Sequence, residues 1–290
     1  MSSHSVVNRL RKLLAVSRIG HGGTLDPLAC GVLVICVGKA TRTLDLFEND
    51  VKDYRAEATF GAVTSTDDGE GEILEKRSAE FLKRDHVERR LPALTGRILQ
   101  VPPAYSAIHV GGRRAYSIAR SGQKVSLPPR EVTVHSFRLI EFFGEPVKPR
   151  ALLSISCGSG TYVRSLVRDL GEAVGCGAYL SFLVRTRSGP FHLKDSLSLE
   201  EAAERVHSGD LAESLISPCE VFPHIPRITL TSRGQTRILH GAPVEAGDLV
   251  GSPTSREGEK YFALSTEGDL LALVQRKTGD VFHPLKILGD

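Results

Sequence analysis

The sequence predicts an α+β fold followed by a small, mostly β domain. Three observations lead there. Segments with helical and strand periodicity follow one another in mixed order, without the regular alternation of a doubly wound sheet. The composition shifts at Pro223 and Pro226. Beyond Arg227 short strand-like runs dominate, closely punctuated by Gly241, Gly247, Gly251, Gly258 and Gly268. At 290 residues the chain is long enough for one large core plus a small one.

Taken in order, Val6, Val7, Leu10, Leu13 and Leu14 recur at helical spacing, with Ser3 or Ser5 as the expected N-cap. A glycine-rich loop and an apolar run from Gly31 to Val37 follow. Tyr54 to Phe60 alternates as a half-buried strand should. Thr64 to Gly71, dense in Asp, Glu, Ser, Thr and Gly, predicts a polar turn; its spacing is not that of a calcium loop. A helix is expected over 81–94, limited by Pro92. Pro102-Pro103, Gly111-Gly112 and Pro128-Pro129 divide the next stretch into loops around a short helix near Tyr116. Strands are expected over 131–143 and 151–157. Thr161 should cap a helix buried through Val163, Leu166, Val167 and Leu170 and stopped by Gly171 and Gly175. A buried strand over 179–184 and helices near 199–206 and 211–216 complete the larger part.

Composition excludes disorder, and no apolar run is long enough to span a bilayer. No signal-peptide pattern opens the chain. The five cysteines are scattered, without a CxxC pair, which speaks against zinc or a disulfide framework and fits a reducing cytoplasm. Charge is distributed unevenly. No acid precedes Asp26, while Arg9, Arg11, Lys12 and Arg18 do. Eight basic residues and no acid lie between Arg89 and Arg130, among them Arg113, Arg114, Arg120 and Lys124. Two acid-free basic stretches point to a polyanionic partner.

The chemistry-bearing stretch is His21-Gly22-Gly23-Thr24-Leu25-Asp26-Pro27. It lacks the lysine of a Walker loop and the third glycine of a dinucleotide fingerprint. On spacing alone it is equally a tight turn, with Asp26 capping the next element and Pro27 at its first position. The order of residue types through Leu33 resembles the signature of the TruB family, bacterial tRNA pseudouridine-55 synthases. Further segments extend the resemblance in the same order: Lys52-Asp53-Tyr54-Arg55-Ala56, Pro103-Ala104-Tyr105-Ser106-Ala107-Ile108, Ser159 to Leu166, and Leu183 to Phe191.

That resemblance implies a pseudouridine synthase fold with a mixed, mainly antiparallel central sheet. Residues 1–225 would form the catalytic domain, with a basic RNA-gripping insertion at about 103–130. Residues 226–290 would form a PUA-like RNA-binding domain. The implied reaction breaks the N1–C1′ bond of uridine 55 in the tRNA T arm and rejoins the ring through C5, with no cofactor and no metal. By position, Asp26 matches the nucleophile, or stabiliser of a cationic sugar. Arg164 matches the arginine that pairs with it, and Tyr54 the tyrosine that stacks on the target ring. Tyr162 and Leu183 match the walls of the uracil pocket. His21 matches the histidine that fills the space the flipped base leaves. Arg113, Arg114, Arg120 and Lys124 are expected to meet the RNA backbone. The implied protein works as a cytoplasmic monomer without a protein partner.

Two departures accompany the resemblance. The family pattern opens with a strand and an Asp-Lys-Pro-x-Gly motif before the position of Met1, so a chain that truly began there would lack a strand of the sheet. Ser159 stands where many relatives carry lysine. Two other readings remain: a catalytically impaired RNA-binding or tRNA-folding protein on the same scaffold, and a synthase guided by a separate RNA.

Overall fold

The computed structural model describes the whole chain except residues 48, 49, 107, 124, 252–255 and 290, with Arg120 described by its backbone alone. The chain forms two compact units built from separated segments. The first comprises Met1–Ser3, Gly23–Val34 and Phe47–Ser196, and the second His4–Gly22, Ile35–Leu46 and Leu197–Asp290.

Among the described residues, the first unit carries a seven-stranded sheet. Its strands run in the order Phe191–His192, Ala178–Ser188, Lys52–Phe60, Lys148–Cys157, Arg130–Glu145 and Gly96–Gln100. Each of these pairings is antiparallel. The seventh strand, Ala29–Gly31, runs parallel to Leu183, Val184 and Arg185, which makes the sheet mixed. Alternation sets its faces: Tyr54, Ala56 and Ala58 are buried while Arg55 is exposed. The long Arg130–Glu145 and Lys148–Cys157 strands form a hairpin.

Helix Val163–Val174 covers the buried face with Leu166, Val167 and Leu170, all fully buried beside Ala56, Leu153, Ile155 and Leu180. Burying each leucine contributes roughly 1.5–3 kcal/mol. Two expectations for this helix need correction. Its N-cap is Tyr162, without a side-chain cap bond, and the Thr161 hydroxyl lies beside the Cys157 thiol instead. Gly175 ends the helix at φ 88°, but Gly171 lies inside it. A Cβ at Gly171 would fall well inside contact distance of the Ala178 backbone nitrogen, so this glycine lets helix and strand meet.

The helix expected over 81–94 is a short helix, Arg84–Glu88, then a 3-10 turn, Leu91–Leu94. Pro92 has no N–H to extend an α-helical ladder. Ser3 lies inside its helix, Ser3–Leu14, and its hydroxyl accepts from the Leu25 N–H at 3.0 Å instead of capping.

In the second unit, strand Arg227–Thr229 runs parallel to Lys260–Leu264, which continues antiparallel through Leu270–Lys277 to Val281–Ile287. Helix Ser232–Leu239, capped by Thr231, packs on this sheet. The core includes Ile228, Leu230, Ile238, Val244 and Val274, with the Tyr261 and Phe282 rings edge-on at 5.4 Å. A satellite cluster joins Val7, Leu10 and Ile19 to Leu199. Helix Leu199–Ser208 begins with a capping box between Ser198 and Glu201. The stretch expected to be helical near 211–216 is a 3-10 turn, Asp210–Ser214.

Candidate active site

Asp26 sits in the loop ahead of strand Ala29–Gly31, in a turn closed by the Ala29 N–H donating to the Asp26 carbonyl at 2.9 Å. Its side chain does not cap that turn. Both carboxylate oxygens are taken by Arg164, which donates from Nε to Oδ2 at 2.8 Å and from Nη2 to Oδ1 at 3.0 Å. Arg164 is 4% exposed and Asp26 is partly open. The remaining guanidinium donors reach the Thr66 carbonyl at 3.0 Å and the Tyr105 carbonyl at 3.1 Å. Asp68 stands 3.7 Å from Nη1. A buried bidentate pair of this kind aims the carboxylate as well as compensating its charge.

The polar turn over 64–71 is the second anchor of that arginine. It is closed by the Thr64 hydroxyl donating to the Asp68 carbonyl at 2.7 Å and by the Glu70 N–H donating to the Asp68 carboxylate at 3.1 Å. Asp67 in the same turn accepts from Arg168 at 2.8 Å. Burial raises the Asp67 carboxyl above its usual range, and Arg168 opposes that. Arg164 and Arg168, four apart on the helix, therefore hold one turn together.

Arg185 is a buried side chain that positions the Asp26 loop, and sequence reasoning missed it. It is 1% exposed, and its donors reach three backbone carbonyls: Val32 at 2.7 Å, Gly23 at 3.1 Å and Thr24 at 3.4 Å. It thus fastens the loop carrying Asp26 on both flanks. The signal was parity: Arg185 lies two residues beyond buried Leu183 in one strand, on the inward face. Gly31, at φ 100°, passes so close to the Arg185 backbone that a Cβ would collide with its carbonyl. Tyr54 stands opposite Arg185 across the pairing strands. Burial pushes the Tyr54 phenol up to about 12, with Arg185 pulling the other way.

Leu183 pairs in register with Ala29 on one side and Ala56 on the other, and it is buried. Tyr162 is half-buried at the helix start. Its N–H donates to Gln100 Oε1 at 2.9 Å and its carbonyl accepts from Gln100 Nε2 at 3.1 Å. Gln100, fully buried at the end of its strand, is a second residue the sequence did not reveal. The first unit thus carries Asp26, Tyr54, Tyr162, Arg164 and Leu183, with Asp26 paired to Arg164 and Leu183 set between Ala29 and Ala56 in the sheet.

The other expected residues lie elsewhere. His21 belongs to the second unit, in strand Ile19–His21 opposite Ile35. Arg113 and Arg114 are exposed on a two-residue strand paired with His109–Val110. Arg120 ends the short helix Ala115–Arg120, while its side chain, like Lys124 and Ala107, lies outside the described residues. Among the described residues no three His, Cys, Asp or Glu side chains gather as a metal site. No helix there is long and apolar enough to cross a membrane.

The first unit thus combines a mixed, mainly antiparallel sheet with an arginine-held carboxylate, and the second carries a small β-rich sheet. The chain aligns over 99% of its length, and 82% of the other, with a protein in a Cbf5–Nop10–Gar1 complex, at TM-score 0.69 and 23% identity, a likeness of fold. An archaeal box H/ACA Nop10–Cbf5 structure matches at TM-score 0.69 and 22% identity, with the same coverage. The TruB family pseudouridylate synthase N-terminal domain matches residues 11–163, and the tRNA pseudouridylate synthase B C-terminal domain matches 164–222. The chain is 42% identical to the tRNA pseudouridine synthase B of Pelotomaculum thermopropionicum, over 95% of this chain and 87% of that one. That of Moorella thermoacetica is also 42% identical, over 95% and 90%. This chain belongs to the TruB family of pseudouridylate synthases.

Proposed function

We propose that this protein is a tRNA pseudouridine synthase that isomerises uridine 55 of the T arm, with Asp26 as its nucleophile. The single observation that carries the assignment of Asp26 is the two-point grip of Arg164 on its carboxylate. The N1–C1′ bond breaks, the ring turns, and C5 bonds to C1′; the proton leaving C5 is balanced by one gained at N1. Nothing is oxidised and no group is imported, so the reaction calls for no cofactor. Apolar walls at Tyr162 and Leu183, with Tyr54 as a stacking surface, replace the neighbours a flipped base loses. His21 fills the space left in the RNA loop.

Residues 1–225 serve as the catalytic domain, with the insertion at about 103–130 gripping the T arm. Residues 226–290 serve as a PUA-like RNA-binding domain, and the protein acts as a cytoplasmic monomer without a partner protein. The test is a T-arm stem-loop transcript assayed for pseudouridine. The wild type should convert it. Asp26→Asn should lose more than about 1,000-fold in kcat, the scale expected for a group acting on the reacting atoms, while retaining RNA affinity. A large loss of affinity would contradict the nucleophile assignment, and wild-type binding without product would favour an RNA-folding role.

A further inference from the structure

The loop from Ser159 to Thr161, which leads directly into helix Val163–Val174, is held between two cations that the catalytic pair does not use. On one side Lys52 Nζ donates to Ser159 Oγ at 2.7 Å and to the Asp50 carbonyl at 3.1 Å. On the other, an Arg130 Nη2 donates to the Gly160 carbonyl, and its guanidinium lies 5.0 Å from the centre of the Tyr162 ring. Among the described residues neither cation forms a salt bridge, although the Asp50 carboxylate acts on Lys52 from a greater distance. Arg130 Nε is buried and has no hydrogen-bond partner.

We propose that Lys52 and Arg130 form a clamp for one phosphodiester of the RNA strand, seated on the Ser159–Thr161 loop. Each cation uses donors to fix the loop and keeps others for a ligand: a third ammonium hydrogen on Lys52, and the Nη1 hydrogens on Arg130. Half-buried cations without a carboxylate in direct contact are the ones that gain most from an incoming anion. Burial already holds the Lys52 ammonium below the usual lysine range, and neighbouring Arg185 adds to this against the opposing pull of Asp50. Exposed Gly160, at φ 83°, has no side chain to block approach. The Tyr162 ring backs the guanidinium from 5.0 Å, leaving Nη1 for phosphate oxygens. Lys52 also borders the catalytic loop, since a Cβ on Gly23 would be 3.7 Å from its Cε.

The clamp rests on the reading that this unit binds RNA with a uridine in the pocket beside Tyr162. It implies that the bound phosphate is adjacent to that uridine, because Tyr162 follows the clamped loop directly. The test uses the full chain and T-arm stem-loops carrying one neutral methylphosphonate, either 5′ or 3′ of the target uridine. Lys52→Met and Arg130→Met, checked for native melting, should each lower kcat/KM on unmodified RNA by about 10- to 100-fold, the range of a charge-assisted hydrogen bond. Each should flatten the salt dependence of binding by about 0.7 in log–log slope, one single-strand phosphate contact. On RNA with the correct neutral linkage the variants should lose little more, and the position that removes the effect identifies the phosphate. Losses that multiply independently at both positions, or an unchanged salt slope with active wild type, would overturn the clamp alone. Failure of the wild type to bind the unmodified stem-loop would overturn the functional reading with it.

Discussion

At the scale of single residues, Arg164 is where aim and charge meet. It holds both oxygens of Asp26 while its other donors are fixed on two backbone carbonyls. Arg164→Lys keeps a cation but offers a flexible point charge in place of a planar fork. We expect kcat on the T-arm stem-loop to fall by about 100-fold, the penalty for roughly an ångström of misplacement, with KM changed far less; steady-state kinetics separates the two. Tyr54 tells a different story. With its phenol pushed up to about 12, it keeps its proton at any working pH and suits stacking and hydrogen-bond donation better than action as an ionised base. Its folded-state value lies above the ordinary 10, so its contribution to stability is complete below pH 10 and lost as pH rises towards 12. That contribution is at most roughly 3 kcal/mol. Denaturant titrations at pH 9 and 11.5 should show Tyr54→Phe losing less stability over that interval than the wild type.

At the scale of elements, the joint between helix Val163–Val174 and strand Ala178–Ser188 decides how well the site is supported. Gly171→Ala gains up to about 1 kcal/mol in helix propensity but drives a methyl into the strand's backbone. A net loss of about 1–3 kcal/mol, typical of overpacking, should appear in the denaturation midpoint. This joint also marks what the sequence made legible. The stripe Val163, Leu166, Val167, Leu170 announced the helix because its period is local. Gly171 did not announce itself as a contact residue, since a glycine near a helix end reads as a stop. Arg185 and Gln100 were hidden for a related reason: both are buried polar side chains whose partners are main-chain groups far away in sequence. Such partners have no residue type, so no motif records them. The acidic turn over 64–71 was legible as a turn, but only the fold shows that its Thr66 carbonyl and Asp68 carboxylate face Arg164.

At the scale of the whole molecule, the basic stretch between Arg89 and Arg130 should act through salt-sensitive, sequence-tolerant attraction. Arg113 and Arg114 are both exposed there. The double variant Arg113→Gln/Arg114→Gln should weaken stem-loop binding at low salt and reduce the log–log salt slope by about 0.7 to 1.8, for one or two lost phosphates. Conversion at saturating RNA should be nearly unchanged, as measured by filter binding and single turnover. The second unit carries a consequence for how the protein comes into being. Lys39 and Arg42 donate to the carbonyls of Gly289 and Ile287, and Lys286 pairs with Asp45. Arg9 reaches Glu200 at 3.2 Å. During synthesis, then, Lys39, Arg42 and Asp45 emerge long before their C-terminal partners exist, and the chain between has time to form the first unit's sheet. The second unit closes only when the C-terminal strand has left the ribosome. Its contacts of high sequence separation predict the slow step of folding, and a chain stalled before residue 286 would lack the groups that Lys39, Arg42 and Asp45 bind.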